Sequence, residues 1–287
     1  AASDVYKRQV ISIPLIASIL SKEISGKISC SFTPRVKFPR PSKLLGRSVF
    51  CMYPHQTYYV VPEKSVYLLP DDVPPARAVL AANLEAVVNG LWDATPRVGD
   101  RVTIVGAGVL GLLFAWLTAR FPGCNVEIVD TNPEKKNLAD KIGVSFKFPS
   151  QIKPESDLVI HTSGTSEGLS TSLACANFEA KILEMSWFGN QQVSLPLGEA
   201  FHSQRLTLQS SQVSSISTFQ RGRWSSERRM ELILRLLSEP DLDMLITGES
   251  KFKELPSEMK KLSRAVSYTH LRAHETRHDL VCRLLLE

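Results

Sequence analysis

The chain has 287 residues, of which 43% are apolar, 22% charged and 8% aromatic. That is ordinary globular composition, long enough for one large domain or two smaller ones, and it excludes a disordered or fibrous chain. The net charge is +5, but residues 10–50 hold seven Lys/Arg against the single acid Glu23, so the excess sits in one segment and gives no reason to expect a nucleic-acid partner.

The five cysteines, at 30, 51, 124, 175 and 282, include no CxxC pair, so neither a disulfide framework nor a structural zinc cluster is expected and a reducing cytoplasm is the simplest location. The longest apolar run, VISIPLIASIL at residues 10–20, is too short for a membrane helix, which needs about 20 residues, so no membrane partner is expected. Residues 48–61, SVFCMYPHQTYYVV, are β-branched and aromatic and broken by Pro54, which predicts two short strands. KSVYLLPDDVPP predicts a strand and then a turn. In ARAVLAANLEAVVNGLWDA, residues 76–94, Leu80, Leu84, Val87, Val88 and Leu91 recur at helical spacing and predict an amphipathic helix that Gly90 weakens near its end.

From Arg101 the pattern alternates strand and helix. The predicted strands are RVTIV, NVEIVD, SDLVIHTSG, AKILEMSW and RLTLQSS, with helices at LLFAWLTARF and EGLSTSLACANF, and a last amphipathic helix at SERRMELILRLLS. Short apolar strands separated by helices predict a parallel α/β sheet covered on both faces.

The stretch VTIVGAGVLG carries the chemistry. Gly106, Gly108 and Gly111 form GxGxxG directly after one strand and directly before a helix, and Asp130 ends the next strand nineteen residues later. Each position has a task in a dinucleotide site. Gly106 permits the tight turn, Gly108 lets a pyrophosphate approach the backbone, and Gly111 lets the helix pack close to the sheet. The first-turn N–H groups, at Val109 and Leu110, face the phosphates. The Asp130 carboxylate accepts from a ribose hydroxyl and repels a 2′-phosphate, so NAD is expected over NADP, with Lys135 and Lys136 as the residues that could alter that preference. Ser163 and Gly164, at the carboxyl end of the third strand, lie where ligands bind in open α/β sheets. His161 is expected as a packed or sheet-edge residue, and Trp187 as either core or pocket lining.

Residues from Gly46 to about Leu262 resemble the medium-chain, zinc-type alcohol dehydrogenase superfamily. The resemblance rests on GRSVF, YYVVPEKSVYLLPDDV, the helix at 76–94, PRVGDRVTIVGAGVLG, DLVIHTSG and LITGESKFKELPSEMKKL. It implies a Rossmann-type doubly wound parallel sheet with remnants of a GroES-like β-barrel domain, and hydride transfer between NAD and an alcohol or carbonyl of a small-molecule substrate. A homodimer through the Rossmann domain is a further expectation. The family's Gly-His-Glu zinc motif does not occur, and no Cys or Asp stands near 81–83, where only Glu85 is close. Zinc is therefore not expected in this chain, no catalytic residue is assigned, and catalysis is expected to be impaired. Cys51 with His55 is a minor candidate for ligation. A methyltransferase or a non-catalytic nucleotide-binding module are the alternative readings.

AASDVYKRQ at the start and VSYTHLRAHETRHDLVCRLLLE at the end resemble translated sequencing-adapter read-through. The spacing of His270, His274 and His278 is read as part of that tail rather than as a metal site. The expected organisation is 1–9 foreign, 10–72 the barrel remnant, 73–216 the Rossmann domain, 217–264 the C-terminal helix and return segment, and 265–287 foreign.

Overall fold

The structure is a computed structural model that describes residues 15–19, 44, 47–52, 58–60, 63–251, 254, 271–274 and 283–285. In chain order these form strands β1 (Leu15–Ile19), β2 (Arg47–Cys51), β3 (Tyr58–Val60) and β4 (Val66–Leu68), then helix α1 (Ala81–Ala94). There follow β5 (Arg101–Val105), α2 (Val109–Thr118), β6 (Asn125–Val129), α3 (Lys136–Ile142), β7 (Ser145–Lys147), β8 (Ser156–His161), α4 (Ser166–Cys175), β9 (Ala176–Glu184) and β10 (Thr207–Ser210). The last elements are α5 (Ser226–Leu236), β11 (Gly248–Lys251), β12 (Leu271–His274) and β13 (Arg283–Leu285). The chain divides into two units, one of residues 83–226 and one of residues 1–82 with 227–287.

The unit of residues 83–226 is an α/β Rossmann-type sheet. Its six strands run β10-β9-β8-β5-β6-β7, all parallel. The central strands are apolar because both of their faces are covered: Ile104, Ile128, Ile160, Ile182 and Leu183 are fully buried. Helix α2 is apolar nearly all round for the same reason, with Leu112, Leu113, Phe114 and Trp116 buried. The chain goes from β5 to β6 on one side and returns to β8 on the other, so the order reverses between β5 and β8. Crevices for ligands open at the carboxyl ends of the strands at such a reversal.

In α1, Gly90 has a packing reason. A Cβ there would stand 2.7 Å from Phe114 Cζ and 2.9 Å from Met185 Sδ, so the glycine lets this helix approach α2 and the end of β9. The helix ends where Lys181 Nζ donates to the Asp93 and Ala94 carbonyls at 3.0 and 3.3 Å, a cation placed against the negative end of the helix. Ser211 Oγ donates to Asp93 at 2.6 Å and ties the segment after β10 to the same turn.

The other unit holds short sheets. β1 and β4 flank β2, both antiparallel to it, while β13 pairs with β3 and β12 with β11 in parallel. The stretch 265–287, read from sequence as foreign, thus supplies two short strands. Arg77, which is buried, forms two bonds to the Asp243 carboxylate at 2.7 and 2.8 Å and donates to the carbonyls of Leu237 and Ser238. Those bonds hold the Arg77 guanidinium above its ordinary pKa and the Asp243 carboxyl below its own, the mutual hydrogen bond being the largest cause for each. Among the described residues no helix is long and apolar enough to cross a membrane.

Candidate functional site

β5 ends at the glycine loop, and each glycine there meets a different constraint. Gly106 has φ +108°, a conformation that side chains rarely adopt. Its N–H donates to the Val129 carbonyl at 2.8 Å, which carries the loop across to the end of β6. A Cβ on Gly111 would lie 1.8 Å from the Gly106 carbonyl oxygen, so only glycine lets α2 start this close to the strand. Gly108 differs from both: it caps α2 with φ −73°, and among the described residues nothing lies within 4 Å of where its Cβ would be. Protein packing therefore does not require glycine at 108. The open space lies in front of the first turn of α2, where the N–H groups have no intrahelical acceptor. Val109 and Leu110 are half-buried in that turn.

Asp130 follows β6 and is stitched to the loop. One carboxylate oxygen accepts from the Ala107 N–H at 2.6 Å and the other from the Asn132 N–H at 2.8 Å. Each oxygen still has a second lone pair for a ribose hydroxyl. Lys135 is buried, whereas Lys136 is exposed.

The end of β8 closes on the same loop. Thr162 Oγ1 donates to the Gly106 carbonyl at 2.9 Å, and its N–H bonds the Val105 carbonyl at 2.9 Å. The Ser163 backbone lies so near Gly106 that a Cβ on that glycine would be 2.7 Å from its nitrogen. Gly164 has φ +71° and donates its N–H to Ser186 Oγ at 3.0 Å. Behind them sits a network that sequence reading missed. His161 is fully buried and, because β8 lies between β9 and β5, it is not at a sheet edge. Its Nε2 is 2.6 Å from Ser163 Oγ and its Nδ1 is 2.6 Å from Glu184 Oε2, at the end of β9. The other Glu184 oxygen accepts from the Ser186 N–H at 2.6 Å. The signal was present as polar residues, His161 to Ser163 and Glu184 with Ser186, directly after the apolar runs LVI and IL at the ends of two strands. Trp187, just beyond, is partly exposed.

Among the described residues no group of three His, Cys, Asp or Glu side chains converges as a metal site needs. Burial pushes the Cys51 thiol up to about 11, which disfavours the thiolate that would ligate a metal. His55, His270 and His278 lie outside the described residues, as does the side chain of His274. The described residues do not assemble a set of zinc ligands.

No protein-family model matches the chain. Over 118 residues the chain is 30% identical to L-threonine 3-dehydrogenase of Sinorhizobium medicae, a match that covers 40% of this chain and 33% of that protein. The chain thus spans about a third of that relative's length. The fold is shared with solved structures. A short chain alcohol dehydrogenase from Escherichia coli CFT073, complexed with NADH, aligns with a TM-score of 0.57 and 19% identity over 78% of this chain and 62% of that one. A protein of Sinorhizobium meliloti 1021 described as a zinc-binding dehydrogenase, bound to NADP, aligns with a TM-score of 0.58 and 18% identity over 78% and 63%.

Proposed function

We propose that the chain is a member of the medium-chain dehydrogenase/reductase superfamily and an NAD(H)-dependent oxidoreductase acting between an alcohol and its carbonyl. The observation that carries this reading is the contrast between Gly111 and Gly108. One glycine is enforced by the protein's own backbone, while the other faces open space in front of a helix N-terminus. A dinucleotide pyrophosphate is the group that would use that space, held by the first-turn N–H groups and the positive end of α2.

The nicotinamide would supply the hydride acceptor or donor. The protein's part is to bind and orient. The glycine loop with Val109 and Leu110 takes the pyrophosphate, Asp130 the adenosine ribose, and Ser163 and Gly164 line the crevice at the end of β8. NAD is preferred over NADP in this reading, because the Asp130 carboxylate favours a hydroxyl and repels a 2′-phosphate. No relative named above is a methyltransferase, and nothing in the site favours that alternative. The wider reading includes a small-molecule substrate and a homodimer through the Rossmann sheet, whose edge strand β10 leaves Leu208 exposed. Titration of the purified chain with NADH, followed by cofactor fluorescence, tests the assignment. Saturable binding supports it, and binding of S-adenosylmethionine in its place would refute it.

A further inference from the structure

We infer that Ser163, His161 and Glu184 form a proton relay that serves the cofactor crevice, with His161 as its proton carrier. The inference rests on the dinucleotide reading above and goes beyond it, because it assigns a proton-carrying group where none was assigned.

The three side chains are continuous. Glu184 is acceptor-only when ionised, so the neutral imidazole carries its hydrogen on Nδ1 and donates it to Oε2 at 2.6 Å. Nε2 is then free to accept the Ser163 hydroxyl hydrogen, also across 2.6 Å. When His161 takes a second proton, Nε2 becomes the donor and Ser163 Oγ the acceptor. The Thr165 N–H, at 3.3 Å, donates to the same oxygen in either state. One end of the chain is closed: the Glu184 side chain is only 12% exposed, and its other oxygen is held by the Ser186 N–H. The other end is open: Ser163 is partly exposed, and its backbone lies against Gly106 of the glycine loop. A clamp between two strands would need only one of these bonds. A chain that runs from a shielded carboxylate, through a buried imidazole, to a hydroxyl at the crevice is what proton movement requires.

Glu184 is the charged group bonded to His161. The other charged side chains on the elements around it sit elsewhere: Arg101 four residues before Val105 on β5, Glu179 and Lys181 nearer the start of β9, and Glu167 exposed on α4. The segment from Met185 to Gly198, whose Phe188 ring lies over His161, carries no charge.

A cationic nicotinamide ring in the crevice disfavours the imidazolium, whereas the reduced, neutral ring does not. Binding of NAD⁺ should therefore drive a proton from His161 Nε2 out through Ser163 Oγ, and binding of NADH should not. The test is proton release on mixing the full chain with NAD⁺ or with NADH in weak buffer with an indicator dye, by stopped flow, over a series of pH values. The wild type should release more protons with NAD⁺. His161→Gln and Glu184→Gln should bind both cofactors and lose that excess. Ser163→Ala, at a partly exposed position where folding is least at risk, should slow the release at least tenfold. The same excess in the His161 and Glu184 variants, or unchanged kinetics in Ser163→Ala, overturns the relay. So does equal release from the wild type with both cofactors, which leaves the dinucleotide reading intact. Failure of the wild type to bind either cofactor overturns that reading, and the relay with it.

Discussion

Gly111 stands so close to Gly106 that a single methyl group on it would collide with the Gly106 carbonyl oxygen. Neither the backbone of β5 nor the first turn of α2 can give way without disturbing the central sheet. Gly111→Ala should therefore cost about 2 kcal/mol or more, as overpacking a tight site does. In a domain of this size that is a fall of roughly 4–8 °C in Tm. A thermal melt checks it.

Gly108→Ala should behave in the opposite way. Its backbone has negative φ and a methyl there meets no atom of the described residues within 4 Å. Stability should fall by no more than about 1 kcal/mol, the order of the gap between glycine and alanine at an N-cap. Affinity for NADH should fall about tenfold or more, about 1.4 kcal/mol, because the methyl takes the pyrophosphate's space. Melts and titrations of the two glycine variants, run together, separate a packing role from a binding role.

How far the sequence could be read depended on how many residues each feature involves. The alternation of strands and helices from Arg101, the glycine loop and Asp130 were legible because each is local: an apolar run, a fixed spacing, an acid at a strand end. β7 and α3, between Asp130 and the strand at 156–161, give no legible signal. They are three and seven residues long, too short to set up a period. His161 could be seen to lie on a strand, but its partners could not. Glu184 is 23 residues away, and only the parallel register that sets His161 opposite Glu184 brings the two together. Gly90 looks like a weak point in its helix from the sequence because its reason, the nearby Phe114 and Met185, is equally non-local.

The Arg77–Asp243 pair should make the unit that contains it sensitive to acid. The Asp243 carboxyl is held below its ordinary pKa by the hydrogen bonds from Arg77. Its contribution is therefore complete above the ordinary carboxylate range and is lost as the pH falls through the depressed value. Asp243 is 56% exposed, which moderates the effect, whereas Arg77 is buried. Asp243→Asn should cost roughly 1.5–3 kcal/mol near neutral pH, the range for hydrogen bonds to a charged group. It should flatten the acid limb of the stability curve. Denaturant melts of both proteins at several pH values would show it, and parallel curves would contradict it.

Asp130→Ser should weaken NADH and narrow its advantage over NADPH. A charge-assisted hydrogen bond of about 1.5–3 kcal/mol is removed, along with the repulsion of a 2′-phosphate. The serine variant should also loosen the loop, since the carboxylate bonds the Ala107 and Asn132 N–H groups. Titration of the variant with both cofactors should give two affinities closer together than in the wild type.

The most direct test of the account is a fluorescence titration of the unaltered chain with NADH and with NADPH. Saturable binding of NADH, at least about tenfold tighter than NADPH, is the result expected if the crevice beside Gly108 and Asp130 is the cofactor site, since one charge-assisted hydrogen bond suffices for that ratio. Equal affinity for the two would show that Asp130 does not read the ribose, and no saturable binding of either would contradict the assignment of the site.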